Sequence, residues 1–184
     1  MKKIIESEIL LPFSDYNKIV KKREKITKLI IFSIIAIIIS SFMFNYSYIL
    51  NGDELKNFIT DYIGTDIDII ALLLSFSIAY LTILISSDSC NIKKLKSNIT
   101  EIKIDGRNIS LYQNLLIQLT YTIYNEILLL ILLLIHKMIS NLLNCVFNTV
   151  FFIINMILLL NILLIIIQNV KNIYLSFWKN NVDE

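Results

Sequence analysis

The stretch QNLLIQLTYTIYNEILLLILLLIHKMIS, from Gln113 to Ser140, holds one carboxylate, Glu126, in sequence that is otherwise mostly aliphatic. About 20 helical residues cross the roughly 30 Å hydrocarbon core of a bilayer, so this stretch is long enough to span a membrane. A charge near the middle of a span costs about 2.5–3.5 kcal/mol on insertion scales. We therefore expect Glu126 to face protein or water rather than lipid.

Three further apolar runs, at residues 26–50, 67–87 and 142–170, are also long enough to span a membrane. The chain of 184 residues is 17% charged and has only three Gly and one Pro. A soluble domain would carry about 25% charged residues and more loop-forming residues. The sequence predicts an all-α fold, an integral membrane four-helix bundle whose four-span domain covers residues 26–170.

The basic residues predict the orientation of the spans. All Lys and Arg residues except Lys56 and Lys137 lie in or beside the N-terminal tail (1–25), the loop between spans two and three (88–112) and the C-terminal tail (171–184). Because cytoplasmic loops are rich in Lys and Arg, we expect both termini and this middle loop to be cytoplasmic. The acidic connection at 51–66 is then an outer loop, and Cys90 and Cys145 lie on opposite sides of the membrane.

Polar residues form a stripe on each of the last two spans. At 100° per residue, four Asn residues of span four fall on one face, and a second group clusters on span three. A hairpin turn near Asn141 would place Asn155 opposite Glu126, so we predict a hydrogen bond between them. The stripes either join helices within one chain or, through Glu126 from several subunits, line a pore or proton path. The residues are Gln118, Thr122, Asn125, Glu126, Asn144, Asn148, Asn155 and Asn169.

Span two carries a face of small residues, which we call the small-residue face: Ala71, Ser75, Ala79, Thr82 and Ser86. Ser33, Ala36 and Ser40 have a similar spacing on span one. Small residues let helices approach closely in a membrane. These residues either pack the spans of one chain together or join subunits of a homo-oligomer.

The middle loop predicts two local structures. Ile92, Leu95, Ile99 and Ile102 have helical spacing, which extends span two as an amphipathic helix. Asp105-Gly106 lies within alternating sequence and predicts a β-hairpin with a type I′ turn. The two overlap near Glu101. The loop is either a docking site for a partner or a solvated connector.

Basic residues near the cytoplasmic face are candidates for contact with a partner or with anionic lipid, which attracts Lys and Arg near the bilayer surface. They are Lys21, Lys22, Arg23, Lys93, Lys94, Lys96, Lys103 and Arg107. No nucleic-acid-binding motif accompanies them, so we do not expect direct binding of nucleic acid.

The sequence does not predict an enzyme. His136 is the only histidine, so a HExxH-type zinc site is impossible, and no Gly-rich phosphate-binding loop is present. We expect no metal and no cofactor. His136, beside Lys137 at the end of span three, is expected to be structural.

The stretch LSFSIAYLTILISSDSCNIKKLK, from Leu74 to Lys96, leads from a small-residue span into a basic helix. Together with the short four-span plan, it resembles the small membrane components of bacterial anti-phage and toxin-type modules, such as the membrane subunits of two-gene Kiwa systems. The resemblance implies an inner-membrane scaffold or sensor that holds a cytosolic effector protein, with homo-oligomerisation. The alternatives are an oligomeric pore-forming effector, a small-solute transporter or an immunity protein.

Overall fold

The computed structural model of the chain describes residues 10–47 and 52–179. The predicted end of span one at Leu50 and the outermost parts of both tails, 1–9 and 180–184, lie outside the described residues.

The described residues form mostly helix, as expected for a chain with so few helix-breaking residues. The helices are α1 (Leu11–Ile19), α2 (Lys22–Ser47), α3 (Gly52–Ser86), α4 (Cys90–Ser97), α5 (Leu111–Ile139) and α6 (Cys145–Lys179). Pro12 lies in the first turn of α1, where its missing N–H costs no hydrogen bond.

Four of these helices are long and apolar enough to cross a membrane, which confirms the predicted number of spans. The apolar segments are Lys22–Phe42 in α2, Asn57–Ser86 in α3, Leu111–Ile139 in α5 and Val146–Tyr174 in α6. Each overlaps one of the four predicted runs, because the length of an uninterrupted apolar run is itself the signal for a span.

The predicted outer loop at 51–66 differs from the structure, which is helical from Gly52 onward. Acidic residues suggested a loop there, but the segment contains no Pro, and its apolar residues keep helical spacing. Ile59, Ile63 and Ile70 are all buried on one face of α3. The candidate span therefore begins about ten residues earlier than predicted, at Asn57 rather than residue 67.

The middle loop contains both predicted local structures, in sequence. The helix α4 ends at Ser97, and the strands β1 (Ile99–Ile104) and β2 (Arg107–Ser110) form an antiparallel hairpin. Asp105 (φ 49°) and Gly106 (φ 81°) both have positive φ, as a type I′ turn requires. Where the two predictions overlapped, at Glu101, the strand is formed.

The helix α4 is separate from α3 rather than a continuation of it. The chain leaves helical conformation after Ser86, and Ser89 then caps α4 by accepting a hydrogen bond from the Ile92 amide (3.4 Å). Ile92 and Leu95 are buried, whereas Ile99 lies in β1 and is exposed. Of the four residues predicted to form the apolar face of α4, Ile92 and Leu95 lie in the helix, whereas Ile99 and Ile102 lie in β1.

The described residues divide into two compact units. Unit 1 comprises residues 10–25, 77–124 and 164–179, and unit 2 comprises residues 26–47, 52–76 and 125–163. The core of unit 1 includes Leu84, Leu95, Ile109, Leu115 and Ile165, all buried. The core of unit 2 is formed mainly by Ile63, Ile70, Leu129, Leu133, Phe152 and Ile162.

Candidate functional site

The last turn of α5 and the first three turns of α6 hold a buried hydrogen-bond network in unit 2. His136 and Asn155 have no exposed surface and Asn148 is 4% exposed. His136 Nε2 lies 3.2 Å from Asn148 Oδ1, and His136 Nδ1 lies 3.1 Å from Asn155 Nδ2. Asn148 and Asn155 are seven residues apart, which places them on one face of α6.

The hydrogen bonds of Asn148 indicate which ring nitrogen of His136 carries a hydrogen. Asn148 Nδ2 donates to the carbonyl oxygen of Ser140 (3.0 Å), so Oδ1 of the same amide faces His136 as an acceptor. His136 Nε2 therefore carries a hydrogen, and Nδ1 accepts from Asn155 Nδ2. This arrangement fits the neutral Nε2–H tautomer. The ring also stacks on Phe151 at 5.1 Å between centroids.

The register of the α5–α6 hairpin differs from the predicted one. Asn155 contacts His136, which lies ten residues beyond Glu126 on α5, a rise of about 15 Å. Backbone hydrogen bonds from Ser140 to His136 and from Leu143 to Ile139 continue the helical turns past the predicted turn at Asn141. This register does not favour the predicted hydrogen bond between Glu126 and Asn155.

Asn144 has a different role from the one predicted by its place on the polar stripe. It is exposed, and its Oδ1 accepts a hydrogen bond from the Phe147 amide (3.1 Å). This is the geometry of a helix N-cap, which satisfies one amide that has no partner within the helix. Asn144 therefore marks where α6 begins.

A second set of polar contacts joins α5 and α6 in unit 1. Asn169 Nδ2 donates to Thr122 Oγ1 (3.3 Å), and Asn172 Nδ2 donates to Gln118 Oε1 (3.2 Å). Gln118 also donates to Asn114 Oδ1 (3.0 Å). Thr122 and Asn169 are buried. The polar stripe of α6 therefore continues to Asn172, and Asn114 extends the stripe on α5; the sequence prediction included neither.

Glu126 and Asn125 lie in unit 2 and are 0% and 7% exposed. A buried carboxylate is also present in α3. Asp66 is 3% exposed and lies one helical turn after Tyr62, whose hydroxyl donates to Met156 Sδ (3.3 Å). The sequence alone places Asp66 in the predicted outer loop at 51–66. The helical spacing of Asp66 with Ile59, Ile63 and Ile70 is the signal that could have placed it.

The small-residue face of α3 lies on the surface of the described residues. Ala71, Ser75, Ala79, Thr82 and Ser86 are all exposed. The Ser75 and Thr82 hydroxyls donate to backbone carbonyls one turn earlier, at 2.8 and 2.9 Å. On α2, by contrast, Ala36 and Ser40 are buried. Packing within one chain therefore describes the small residues of α2 but not those of α3.

The basic residues predicted to contact lipid or a partner lie mostly on the surface. Lys21, Lys22, Arg23, Lys93, Lys96, Lys103 and Arg107 are exposed, and Lys94 is half-buried. The Lys96 ammonium lies 5.1 Å from the centre of the Tyr112 ring, within the range of a cation–π contact. The five residues of this set that belong to the middle loop all lie in α4 or in the hairpin, which fixes their positions.

We call α1, α4 and the β1–β2 hairpin together the cap. In unit 1, α1 packs on β1, and α4 packs on β2. The Lys18 ammonium donates to the Asp105 carboxylate (2.9 Å), which joins α1 to the hairpin turn and raises the pKa of Lys18. The sequence predicts a basic tail at residues 1–25 and does not predict this contact.

Aromatic rings join the cap to the beginning of α5. Tyr16 stacks on Tyr121 with 3.6 Å between centroids and 5° between planes, and Phe13 packs edge-on against Tyr121 and Tyr124. Burial raises the pKa of Tyr16. Phe13 and Tyr16 are spaced i, i+3, so they lie on one face of α1, and this spacing is the sequence signal for their packing on a neighbouring element.

The described residues contain no group of three or more His, Cys, Asp or Glu side chains arranged to hold a metal ion. Cys90 is a free, exposed thiol at the start of α4. The buried polar groups are hydrogen-bond donors and acceptors that join helices, and the cap offers an exposed surface.

Comparison of the chain with protein-family models, with curated proteins and with solved structures gives no significant match.

Proposed function

We propose that this protein is a non-enzymatic, multi-pass inner-membrane scaffold or sensor that binds a soluble effector protein through its cap. The observation that carries the proposal is the anchoring of the hairpin. A two-stranded hairpin is marginally stable alone in water. Here one face of β1 is half-buried, at Thr100, Ile102 and Ile104, while Ile99, Glu101 and Lys103 form an exposed face.

The contacts beneath the hairpin support this role. The Lys18–Asp105 ion pair and the packing of α4 on β2 hold the hairpin at two points. The aromatic contacts between α1 and α5 hold the cap on a candidate span. A surface fixed in this way loses little conformational freedom when a partner binds, which favours affinity.

The distribution of charge supports a cytoplasmic cap. Unit 1 combines the described N-terminal segment, the middle loop and the end of α6. In the sequence these segments carry nearly all Lys and Arg residues, and such segments are retained in the cytoplasm. On this proposal the N-terminus, the middle loop and the C-terminus are cytoplasmic.

We also propose that the protein self-associates through the small-residue face of α3. Its five residues are exposed, and the Ser75 and Thr82 hydroxyls are satisfied within the helix, so a second helix can approach without leaving these two groups unpaired. The resemblance of the sequence to membrane components of anti-phage modules supports a role in bacterial defence. Plaque counts on cells with and without the gene test that context.

The alternative, a pore lined by Glu126 and the Asn stripe of several subunits, is less well supported. Glu126, Thr122 and Asn155 have no exposed surface in a single chain. A pore lined by these side chains would require helices of each subunit to separate and to break buried hydrogen bonds. No contact in the described residues favours a transporter or an immunity protein.

The experiment that tests the proposal is native mass spectrometry of the complex extracted from its own host. We expect a soluble protein at a fixed ratio to the membrane chain. The double variant Glu101→Lys/Lys103→Glu keeps the net charge but reverses the pattern on the exposed face, so the soluble protein should be lost.

The control is Lys137→Gln, an exposed position at the other end of α5, which should retain the partner. A wild-type complex without any soluble protein would overturn the proposal. Equal retention in the double variant would show that the hairpin face is not the docking surface.

A further inference from the structure

A cavity of about 210 Å³ lies in unit 1, where three candidate spans meet the cap. Ile83 and Leu84 of α3, Leu115 of α5 and Ile173 of α6 form its walls on the side of the spans. Ile92 and Leu95 of α4 close it on the side of the cap. The lining is predominantly apolar, so the cavity suits a hydrocarbon group.

The position of the cavity places it at the membrane boundary. Ile83 lies within the candidate span Asn57–Ser86, whereas Ser87, Ser89 and Asn91 on the rim lie just beyond its end. Ile83 is 62% exposed, so the cavity is accessible from the lipid-facing side of α3. Hydrocarbon chains and lipid headgroups meet at this depth in a bilayer.

The helix that closes the cavity is basic. Lys93 and Lys94 follow the lining residue Ile92, and Lys96 follows the lining residue Leu95. The Lys96 ammonium is held near the Tyr112 ring. Clusters of Lys and Arg at the ends of spans attract anionic lipid headgroups, and basic pockets between spans bind them specifically.

We propose that this cavity binds one anionic phospholipid of the surrounding bilayer. An acyl chain occupies the apolar cavity, and the phosphate of the headgroup contacts the lysines of α4. The cavity is smaller than the roughly 300–1,000 Å³ of sites for drug-sized molecules, so it holds part of one chain rather than a whole lipid. The proposal depends on the membrane position of the spans and not on the scaffold role.

The consequence is a link between lipid and cap. The same helix, α4, forms one wall of the cavity and packs on β2 of the hairpin. A bound lipid therefore supports the element on which the hairpin rests. Ile92 and Leu95, which line the cavity, are buried by the chain itself.

The test is native mass spectrometry of the full chain in detergent, titrated with phosphatidylglycerol or with phosphatidylcholine of the same acyl chains. We expect phosphatidylglycerol to be retained more strongly. The variant Ile83→Trp should fill the mouth of the cavity and lower the retention of phosphatidylglycerol at least tenfold. Its matched control is Ile85→Trp, at an equally exposed position (59%) of the same helix that does not line the cavity.

A second variant tests the charges without changing the cavity. Lys93→Gln/Lys96→Gln should lower the affinity for phosphatidylglycerol by about fivefold for each charge removed, and should leave phosphatidylcholine unaffected. Lys103→Gln, in the hairpin, is the control. Equal retention of the two lipids by the wild type, or equal losses in Ile83→Trp and Ile85→Trp, would overturn the proposal.

Discussion

At the scale of single residues, the buried polar side chains join helices and fix their depth. In a membrane the hydrophobic effect does not drive helices together, so packing and interhelical hydrogen bonds set their association. His136 is the clearest case, since both ring nitrogens have an Asn partner on α6. A lone histidine at the end of a span thus acts as the centre of a network.

A double-mutant cycle on His136 and Asn155 tests this network. The single variants His136→Phe and Asn155→Leu should each destabilise the protein, but the double variant should cost less than their sum. We expect a coupling of about 0.6 kcal/mol, the average for hydrogen bonds between membrane helices, and of at most about 1.7 kcal/mol. The measurement is the free energy of unfolding in mixed micelles as a function of SDS fraction.

The control cycle pairs His136→Phe with Asn169→Leu, whose partner is Thr122. These two changes share no contact, so their effects should add. Additive energies for His136 and Asn155 would contradict the network.

Replacing Gly106 or Gly64 by Ala should change the stability of the protein in opposite directions. Gly106 has a φ of +81°, which an L-residue adopts at a cost of about 1–2 kcal/mol, so Gly106→Ala should weaken the hairpin. Gly64 lies inside α3 with open space where a Cβ would be, so Gly64→Ala should stabilise α3 by about 0.5–1 kcal/mol. Amide hydrogen exchange in β1 and α3 measures both effects, and a weakening of α3 by Gly64→Ala would contradict the account.

The Asp105-Gly106 turn and the His136–Asn155 contact show which features of single residues a sequence can predict. The Asp105-Gly106 turn is local, because two adjacent residues specify the backbone conformation. The contact between His136 and Asn155 depends on the residue at which the hairpin reverses. If the predicted position of that turn is wrong by a few residues, each residue of α5 is matched with the wrong residue of α6.

At the scale of helices and strands, the α5–α6 hairpin is therefore the main correction to the sequence analysis. Asn144, not Asn141, begins the second arm, because its side chain caps α6. Helical hydrogen bonds persist to Leu143. An Asn immediately before an apolar helical run is a capping signal, and giving it weight would have corrected the turn.

Paired cysteines test the register directly. In a Cys90→Ser/Cys145→Ser background, Thr122→Cys/Asn169→Cys should be joined by a short thiol cross-linker, because the native side chains lie 3.3 Å apart. Glu126→Cys/Asn155→Cys, the pair expected from a turn at Asn141, should not be joined. Gel mobility measures both, and the reverse result would restore the predicted register.

The contact of α1 with the hairpin has its own pH dependence. The hydrogen bond to Asp105 raises the pKa of Lys18 above its ordinary value of 10.5, so the charged form is favoured in the folded cap. The contribution of this pair is fully present below pH 10.5 and is lost as the pH rises through the raised pKa. Hydrogen exchange of α1, corrected for intrinsic rates, should show weaker protection above that pH.

The variant Asp105→Asn is the control for this titration. It keeps the shape of the turn residue and removes the carboxylate, so the loss of α1 protection above pH 10.5 should become smaller. An unchanged pH profile would show that the Lys18–Asp105 pair does not hold α1 on the hairpin.

At the scale of the whole molecule, four long apolar runs predicted four spanning helices, because span length follows from bilayer thickness. The cap was not predicted as a unit. Its contacts join residues far apart in the sequence, such as Lys18 with Asp105 and Tyr16 with Tyr121. Periodicity within one segment carries no information about which distant segment it packs against.

The scaffold proposal requires the cap to face the cytoplasm. In the variant Cys145→Ser, Cys90 is the only thiol, and it is exposed at the start of α4. The most direct measurement is its labelling by a membrane-impermeant maleimide in inverted and in right-side-out membrane vesicles, with Lys137→Cys in a Cys90→Ser/Cys145→Ser background as the control for the opposite face. The account predicts that Cys90 is labelled in inverted vesicles and protected in right-side-out vesicles, with the control reversed. Labelling of Cys90 in intact right-side-out vesicles would contradict it.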